Sequence, residues 1–514
     1  VNFLDKAIGV VAPRIALKRT IARKRMNFIN TGYSHHGAST TKKSLRGWNS
    51  SGGSTKEDID DNLEKLRERS RDLYMGAPIA TGAIKTLRTN VVGAGLKLKS
   101  QIDYKYLGLT EDEAAEWEGN VEREFSLWAE SLNCDTQRMN DFYELQQLAF
   151  LSQLMNGECF ALLPMIKRKD MPYDLRIMLI EADRVCDPDK KDPTKLIING
   201  VEVGDFGEVM AYHLLNKHPL ERTFGKKEWK RIEKFGRKSG RLNMIHLMES
   251  ERIEQRRGIP ILAPVIECLK QLSRYTEAEL MAAVISGMFT VFIENPGSVD
   301  IDEPMFGEMI SKDQSVVEES EEDINYELAP GAIIELGEGQ KANATNPGRP
   351  NTAFDGFITS ICRQIGVALE IPYELLVKHF TSSYSASRAA LLEAWKMFRM
   401  RRAWLAKDFC QPVYEEWLCE AVAKERVLAP GFFTDPMVRK AYSGAQWNGP
   451  SQGQIDPYKE VLAAEKRVSN GFSTRTKETM ELTGEDFYKN IRQRAREEEL
   501  MMKGGLLEDE VLED

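Results

Sequence analysis

The residues best equipped for chemistry lie in one stretch, "HFTSSYSASRAALLEAWKMFRMRRAW", from His379 to Trp404. After His379 come the hydroxyls of Thr381, Ser382, Ser383 and Ser385 and the phenol of Tyr384, with Lys378 just ahead of them. Behind these, Arg399, Arg401 and Arg402 are interleaved with Trp395, Phe398 and Trp404. Three kinds of chemistry could use such a set. A serine could be a nucleophile if a base such as His379 stood beside it in space. Hydroxyls and cations could meet a phosphate backbone through hydrogen bonds that carry no sequence information. Or the hydroxyls could cap the helix that follows, which is the simplest reading of these residues alone. The arginines, one to three positions apart, do not share one face, so water or acidic partners would hold them.

Other constellations are missing. The chain has no GxxxxGK[ST], GxSxG, HExxH or GxGxxG, and "GGSTK" at 52–56 lacks the spacing and preceding strand of a phosphate cradle. His35 and His36 are adjacent but sit in a Gly/Ser/Thr-rich loop, which reads as solvent exposure and not a metal site. Seven scattered cysteines form no CxxC pair, which points to reduced thiols in a cytosolic product. No catalytic residue, metal or cofactor is expected, and the protein reads as a non-enzyme.

Charge is spread unevenly. Residues 1–50 hold ten Lys/Arg against one acid, although the whole chain is at −9. Acid concentrates at 300–323, with ten carboxylates, and at 497–514, with eight. A protein that grips DNA needs a basic face to displace counterions, so an acidic body excludes tight nonspecific binding outside the first segment. The most apolar run, Leu280 to Ile293, is shorter than the roughly 18–20 residues that span a bilayer.

The elements that must position the opening stretch can be traced from periodicity. Residues 1–55 read as an extended basic arm. Helical spacing of Leu63, Leu66 and Leu73 follows, with Thr55 placed as a cap. "GAGLKLKSQI" alternates like a strand, Thr110 and Glu113 form a capping box for a helix over 111–128, and another helix covers 140–155. "ECFALLPMI", "DLRIMLIEADRV" and the short runs at 196–250 read as strands, so 56–255 is an α+β region. A helix of about seven turns is expected over 261–288, with Val265, Leu269, Leu272, Thr276, Ala283 and Met288 on one side. An insertion follows, with strands at "TVFIEN" and "INYELAPGAIIEL" and then a Gly/Asn/Pro-rich linker. A return helix is broken at Pro372. From Ser387 the pattern stays helical for roughly ten turns, with a kink expected at Pro412, and two or three helices occupy 455–502.

"SYSASRAALLEAW" (383–395), preceded by "QIGVALEIPYELL" (364–376), closely resembles the portal proteins of lambda-type tailed bacteriophages, with their S-Y-S-x-x-R-A-x-x-x-E-x-W. "LRGW" (45–48), "RSRDLYMGAPIATGAI" (69–84), "ERIEQRRGIPILAPVI" (251–266) and "WNGPSQGQIDPYKEVLA" (447–463) look like further signatures of that family, in its order. The resemblance implies a helix-rich α+β portal fold with wing, stem, clip and crown, assembled as a ring, usually of twelve subunits. Its parts fall on this chain as wing 56–260, first stem helix 261–288, clip 289–345, and second stem helix with its connection 346–376. The tunnel loop is 377–386, the long kinked helix and wing closure 387–449, and the crown with its acidic tail 450–514.

The implied function is a ring at one capsid vertex, through which double-stranded DNA is packaged and ejected. The implied partners are the terminase large subunit, a head-completion or adaptor protein, the major capsid protein and scaffold, with no membrane. The location is the virion, after assembly in the bacterial cytoplasm. Lys378, His379, Thr381, Ser382, Ser383, Tyr384 and Ser385 become the loop residues expected to meet DNA. Asp300, Asp302, Glu303, Glu318, Glu319, Glu321 and Glu322 become the expected docking face of the clip. Two other classes compete: a nuclease or packaging ATPase, and a nucleic-acid- or membrane-binding adaptor acting through the basic arm.

Overall fold

The computed structural model describes residues 14, 15, 18, 42–45, 48, 52–222, 225–287, 291–294, 341–344, 353–380, 383–453 and 456–504. The chain divides into two units, Val1–Asp58 and Ile59–Asp514. In the first, the described end is a short helix, Thr55–Asp58. Its cap is Ser54 and not Thr55 as expected: the Ser54 carbonyl accepts from the Asp58 amide, and its own amide donates to Glu57 at 2.9 Å.

The second unit begins with α1 (Leu63–Gly76) and α2 (Pro78–Val91), where Pro78 supplies a preset φ at the first helical position. Strand β1 (Lys97–Ser100) leads to α3 (Glu111–Ala129), which carries the expected Thr110/Glu113 capping box. A second box, Asp141 with Glu144, starts α4 at Phe142 and moves the expected beginning two residues on. Strands β2 (Glu158–Leu162) and β3 (Met178–Ile180) are followed by a meander, β4 (Leu196–Ile198), β5 (Val201–Val203), β6 (Val209–Leu215) and β7 (Trp229–Glu233), and then β8 (Met244–Met248). They form two antiparallel sheets, ordered β3-β2-β8 and β4-β5-β6-β7. Phe160, Ile180, Tyr212, Leu214 and Met244 pack into one small core between them.

Helix α5 begins only at Ile266, after a 3-10 turn at Ala263–Val265. Val265, Leu269 and Leu272 are buried as expected, but Thr276 and Ala283 are exposed. Tyr275 stacks on Phe354 and meets Phe357, and past it Leu280, Met281 and Val284 are 66, 55 and 46% exposed among the described residues. Strands β9 (Val291–Glu294) and β10 (Lys341–Ala344) pair antiparallel. Its second strand lies in what the composition suggested was linker, and the strand expected at 324–336 falls outside the described residues.

Return helix α6 (Phe354–Ala368) and short α7 (Tyr373–Val377) lead to α8 (Tyr384–Leu405) and α9 (Gln411–Ala423). Pro412 produces a π turn, Ala406–Cys410, in which the Gln411 amide reaches back to the Ala406 carbonyl. Proline lacks an N–H and its ring crowds the carbonyl four residues back, so a wider turn lets the helical path continue. Helix α10 (Pro436–Tyr442) and β11 (Ala445–Asn448) return to β1, pairing Leu98 with Trp447. Helices α11 (Pro457–Ser469), α12 (Arg475–Thr483) and α13 (Phe487–Lys503) complete the described chain. The larger core joins both ends of the unit: Phe125 and Phe142 from α3 and α4 meet Tyr414, Trp417 and Trp447.

Candidate nucleic-acid interface

Two left-handed residues shape the approach to the serine-rich stretch. Glu370 (φ 58°) turns the chain out of α6, so that the Ile371 amide donates to the Gly366 carbonyl at 2.9 Å. A Cβ on Gly366 would lie 2.5 Å from the Ile371 oxygen, so this tight return needs glycine. Lys378 (φ 55°) then ends α7, its amide donating to the Glu374 carbonyl. Lys378, His379 and Phe380 emerge exposed, as do Ser383 and Ser385. Thr381 and Ser382 lie outside the described residues, as does the Tyr384 side chain. Ser383 is the N-cap residue of α8, but its side chain makes no capping bond; only its carbonyl is used, by the Ser387 amide at 2.9 Å. The expected hydroxyl cap is therefore absent at Ser383.

Helix α8 carries the stretch like a lever, and its arginines are occupied. Arg401, buried, donates to Glu249 at 2.8 Å and lies 3.6 Å from Glu370, joining the end of β8 to the turn after α6. Arg402 donates to the carbonyls of Val91, Asn90 and Pro450 at 3.0, 2.9 and 2.9 Å, and its guanidinium stacks over Trp395. Burial, helped by nearby Arg399, pulls its pKa down to about 10. Gly449 has no room for a Cβ because the Arg402 Nε would be 2.7 Å away. Arg399 faces Glu481 at 3.6 Å, and Arg388 pairs with Glu460 at 2.6 Å. Trp395 and Phe398 are buried edge to face. These arginines serve the helix's seat and leave the loop residues as the exposed polar surface.

A buried joint that sequence reasoning missed lies at the start of β2. Glu158, fully buried at the start of β2, accepts from Arg67 at 2.5 Å, Arg257 Nε at 2.7 Å, His246 Nε2 at 2.8 Å and the Gly258 amide at 2.9 Å. Burial alone would raise its pKa, but Arg257 and Arg67 hold it well below the usual carboxylate range. Arg257 also donates to the carbonyls of Val185 and Ala182 at 2.8 Å each and to that of Asn199. Gly157 and Gly258 pass so closely that a Cβ on Gly258 would lie 1.9 Å from the Gly157 oxygen. The charged Glu158 opening the apolar run "ECFALL" was the available signal.

The acidic residues Asp300, Asp302, Glu303, Glu318, Glu319, Glu321 and Glu322 lie outside the described residues, as do His35 and His36. Among the described residues, no cluster of three or more His, Cys, Asp or Glu could hold a metal, and no helix is long and apolar enough to cross a membrane.

The family model for lambda-family phage portal proteins matches residues 41–402. Portal protein B of Escherichia phage lambda is 26% identical over 481 residues, covering 91% of this chain and 89% of that protein. The portal protein of Escherichia phage N15 is 26% identical over 482 residues, with the same coverage. Among solved structures, the neck of a native gene transfer agent particle computed with C12 symmetry matches at TM-score 0.41 and 13% identity, over 82% of this chain and 92% of that one. The neck of an empty particle computed with C6 symmetry matches at 0.44 and 11%, with the same coverage.

Proposed function

The chain belongs to the lambda family of phage portal proteins, and from that premise we propose that its copies close a ring at one capsid vertex through which double-stranded DNA enters and leaves. Twelve copies are expected. The single observation that carries the ring is the exposed apolar face of α5: among the described residues Leu280, Met281 and Val284 stand exposed, and copies repeated around an axis would cover them. The loop 377–386 is the part that meets DNA. Its exposed Lys378, His379, Ser383 and Ser385, with Thr381, Ser382 and Tyr384, offer brief hydrogen bonds to any phosphate backbone. The body's net acidity favours sliding over gripping.

The clip carboxylates Asp300, Asp302, Glu303, Glu318, Glu319, Glu321 and Glu322 offer a face to basic surfaces of the terminase large subunit and of the head-completion protein that follows it. The wing side would meet major capsid protein and scaffold during assembly in the bacterial cytoplasm, and the finished ring resides in the virion. No catalytic step is assigned to the chain.

The test of the loop's role is the triple variant Ser382→Ala, Ser383→Ala, Tyr384→Ala. Rings of normal size that package or retain less DNA are the expected result. Normal packaging and retention would reduce the stretch to a helix start.

A further inference from the structure

Helix α13 is long and yet uncovered. It runs 17 residues and buries none of them. From Ile491 to Lys503, every residue but Glu498 is exposed among the described residues. A helix of this length is marginal in water by itself and ordinarily draws its stability from packing an apolar face. That face exists. Tyr488, Ile491, Ala495 and Met502 fall along one stripe of the helix, which Glu498 interrupts. Tyr488, Ile491 and Met502 are 55, 46 and 53% exposed.

The charges beside the stripe are ordered. With Tyr488 and Ala495 opening two successive heptads, Arg494 closes the first on one flank and Glu499 lies on the other flank of the second. These are the positions that meet between two helices packed side by side, level and running the same way. Phe487 and Arg492 stand in the same relation, which sets a ring against a guanidinium. Within one helix Arg494 and Glu499 are not neighbours, because only residues three or four apart share a face. Their partners in the chain are others: Arg494 donates to Glu498 at 2.6 Å, and Lys503 donates to Glu499 at 2.6 Å. Both pairs are solvent-exposed, so each is weak enough to be exchanged for a contact between copies.

We propose that α13 docks on α13 of a second copy of this chain, stripe beside stripe and parallel, with Arg494 of one copy paired to Glu499 of the next. The inference rests on the ring reading, which supplies the required geometry: copies related by rotation about one axis run parallel and stand level. Each helix gives its Arg494 flank to one neighbour and its Glu499 flank to the other. Such a head-to-tail contact is complete only when the ring closes.

Charge reversal in the full-length protein tests this, read by sedimentation over a concentration series. Arg494→Glu sets two carboxylates against each other between copies, and Glu499→Arg sets two guanidiniums. Each should raise the concentration at half-assembly about tenfold. The double variant should return to the wild-type value, although it leaves like charges facing Glu498 and Lys503 within each helix. An equal mixture of the two single variants should also recover, because alternating copies again pair opposite charges. Wild-type assembly of both single variants would overturn the proposal. So would a double variant no better than the singles, the result expected of a solvated face or of an antiparallel partner that brings Arg492 to Glu499. A wild-type chain that stays monomeric at every concentration would overturn the ring reading and this contact with it; rings indifferent to these charges would overturn this contact alone.

Discussion

Two of the places where arginine–glutamate pairs join parts of this molecule are built in opposite ways. At the start of β2, Glu158 is wholly buried and receives two arginines, a histidine and a backbone amide, while Arg257 spends its remaining donors on carbonyls. Between α8 and α11–α12, Arg388 and Arg399 are 39 and 51% exposed and face Glu460 and Glu481 around an open crevice. Burial decides what such a pair does. In the first setting each partner is indispensable to the other, because a lone charge there cannot reach water. In the second, water can replace either partner, so the contact can open and close. One is a rigid joint and the other a latch.

The largest break in this contrast should come from Arg257→Ala, which removes one of the two arginines on Glu158 together with the donor to the Val185, Ala182 and Asn199 carbonyls, and should cost about 3–5 kcal/mol by denaturant titration. Gly258→Ala attacks the same joint through the Gly157 carbonyl and should cost about 1–3 kcal/mol; a wild-type midpoint would show that the two backbones can separate. Acidification sharpens the comparison next. Burial, outweighing the Glu158 contact, depresses the pKa of His246, and burial does the same for His213. The unfolded chain then takes up those protons first, so their contribution is present above about pH 6.5 and declines as pH falls toward the folded-state values. Glu158, also depressed, keeps its full contribution above the ordinary carboxylate range and loses it progressively as pH falls from there toward its folded-state value, below the window of the histidines. Thermal melts from pH 8 to 5 should show this slope, reduced but not abolished in His246→Gln. The smallest effect belongs to the latch: Arg399→Gln should change global stability by less than about 1 kcal/mol. Raising salt from 0.15 to about 1 M should speed proteolysis of α11–α13 while leaving α1–α4 protected.

What could be read from the sequence follows the distance between partners. The Thr110/Glu113 box spans three residues and was legible, as was the break at Pro372. The R-G-x-P signature falls on Arg257 and Gly258 of the buried joint without disclosing why. Arg257 answers to Glu158 about a hundred positions earlier, and Arg402 to carbonyls at 90, 91 and 450, which no local pattern reports. Local readings failed where geometry chose between near equals. Ser54 took the cap from Thr55, and β10 formed in a segment whose composition suggested linker. In the loop, the residue types pointed to capping, yet Ser383 leaves its hydroxyl unused for that purpose.

The portal account is tested most directly by a three-dimensional electron-microscopy reconstruction of the purified full-length assembly. It predicts a closed ring with the exposed apolar face of α5 covered by the neighbouring copy and residues 378–385 at the narrowest part of the channel. A stable monomer, or a ring that turns residues 378–385 away from its axis, would contradict it.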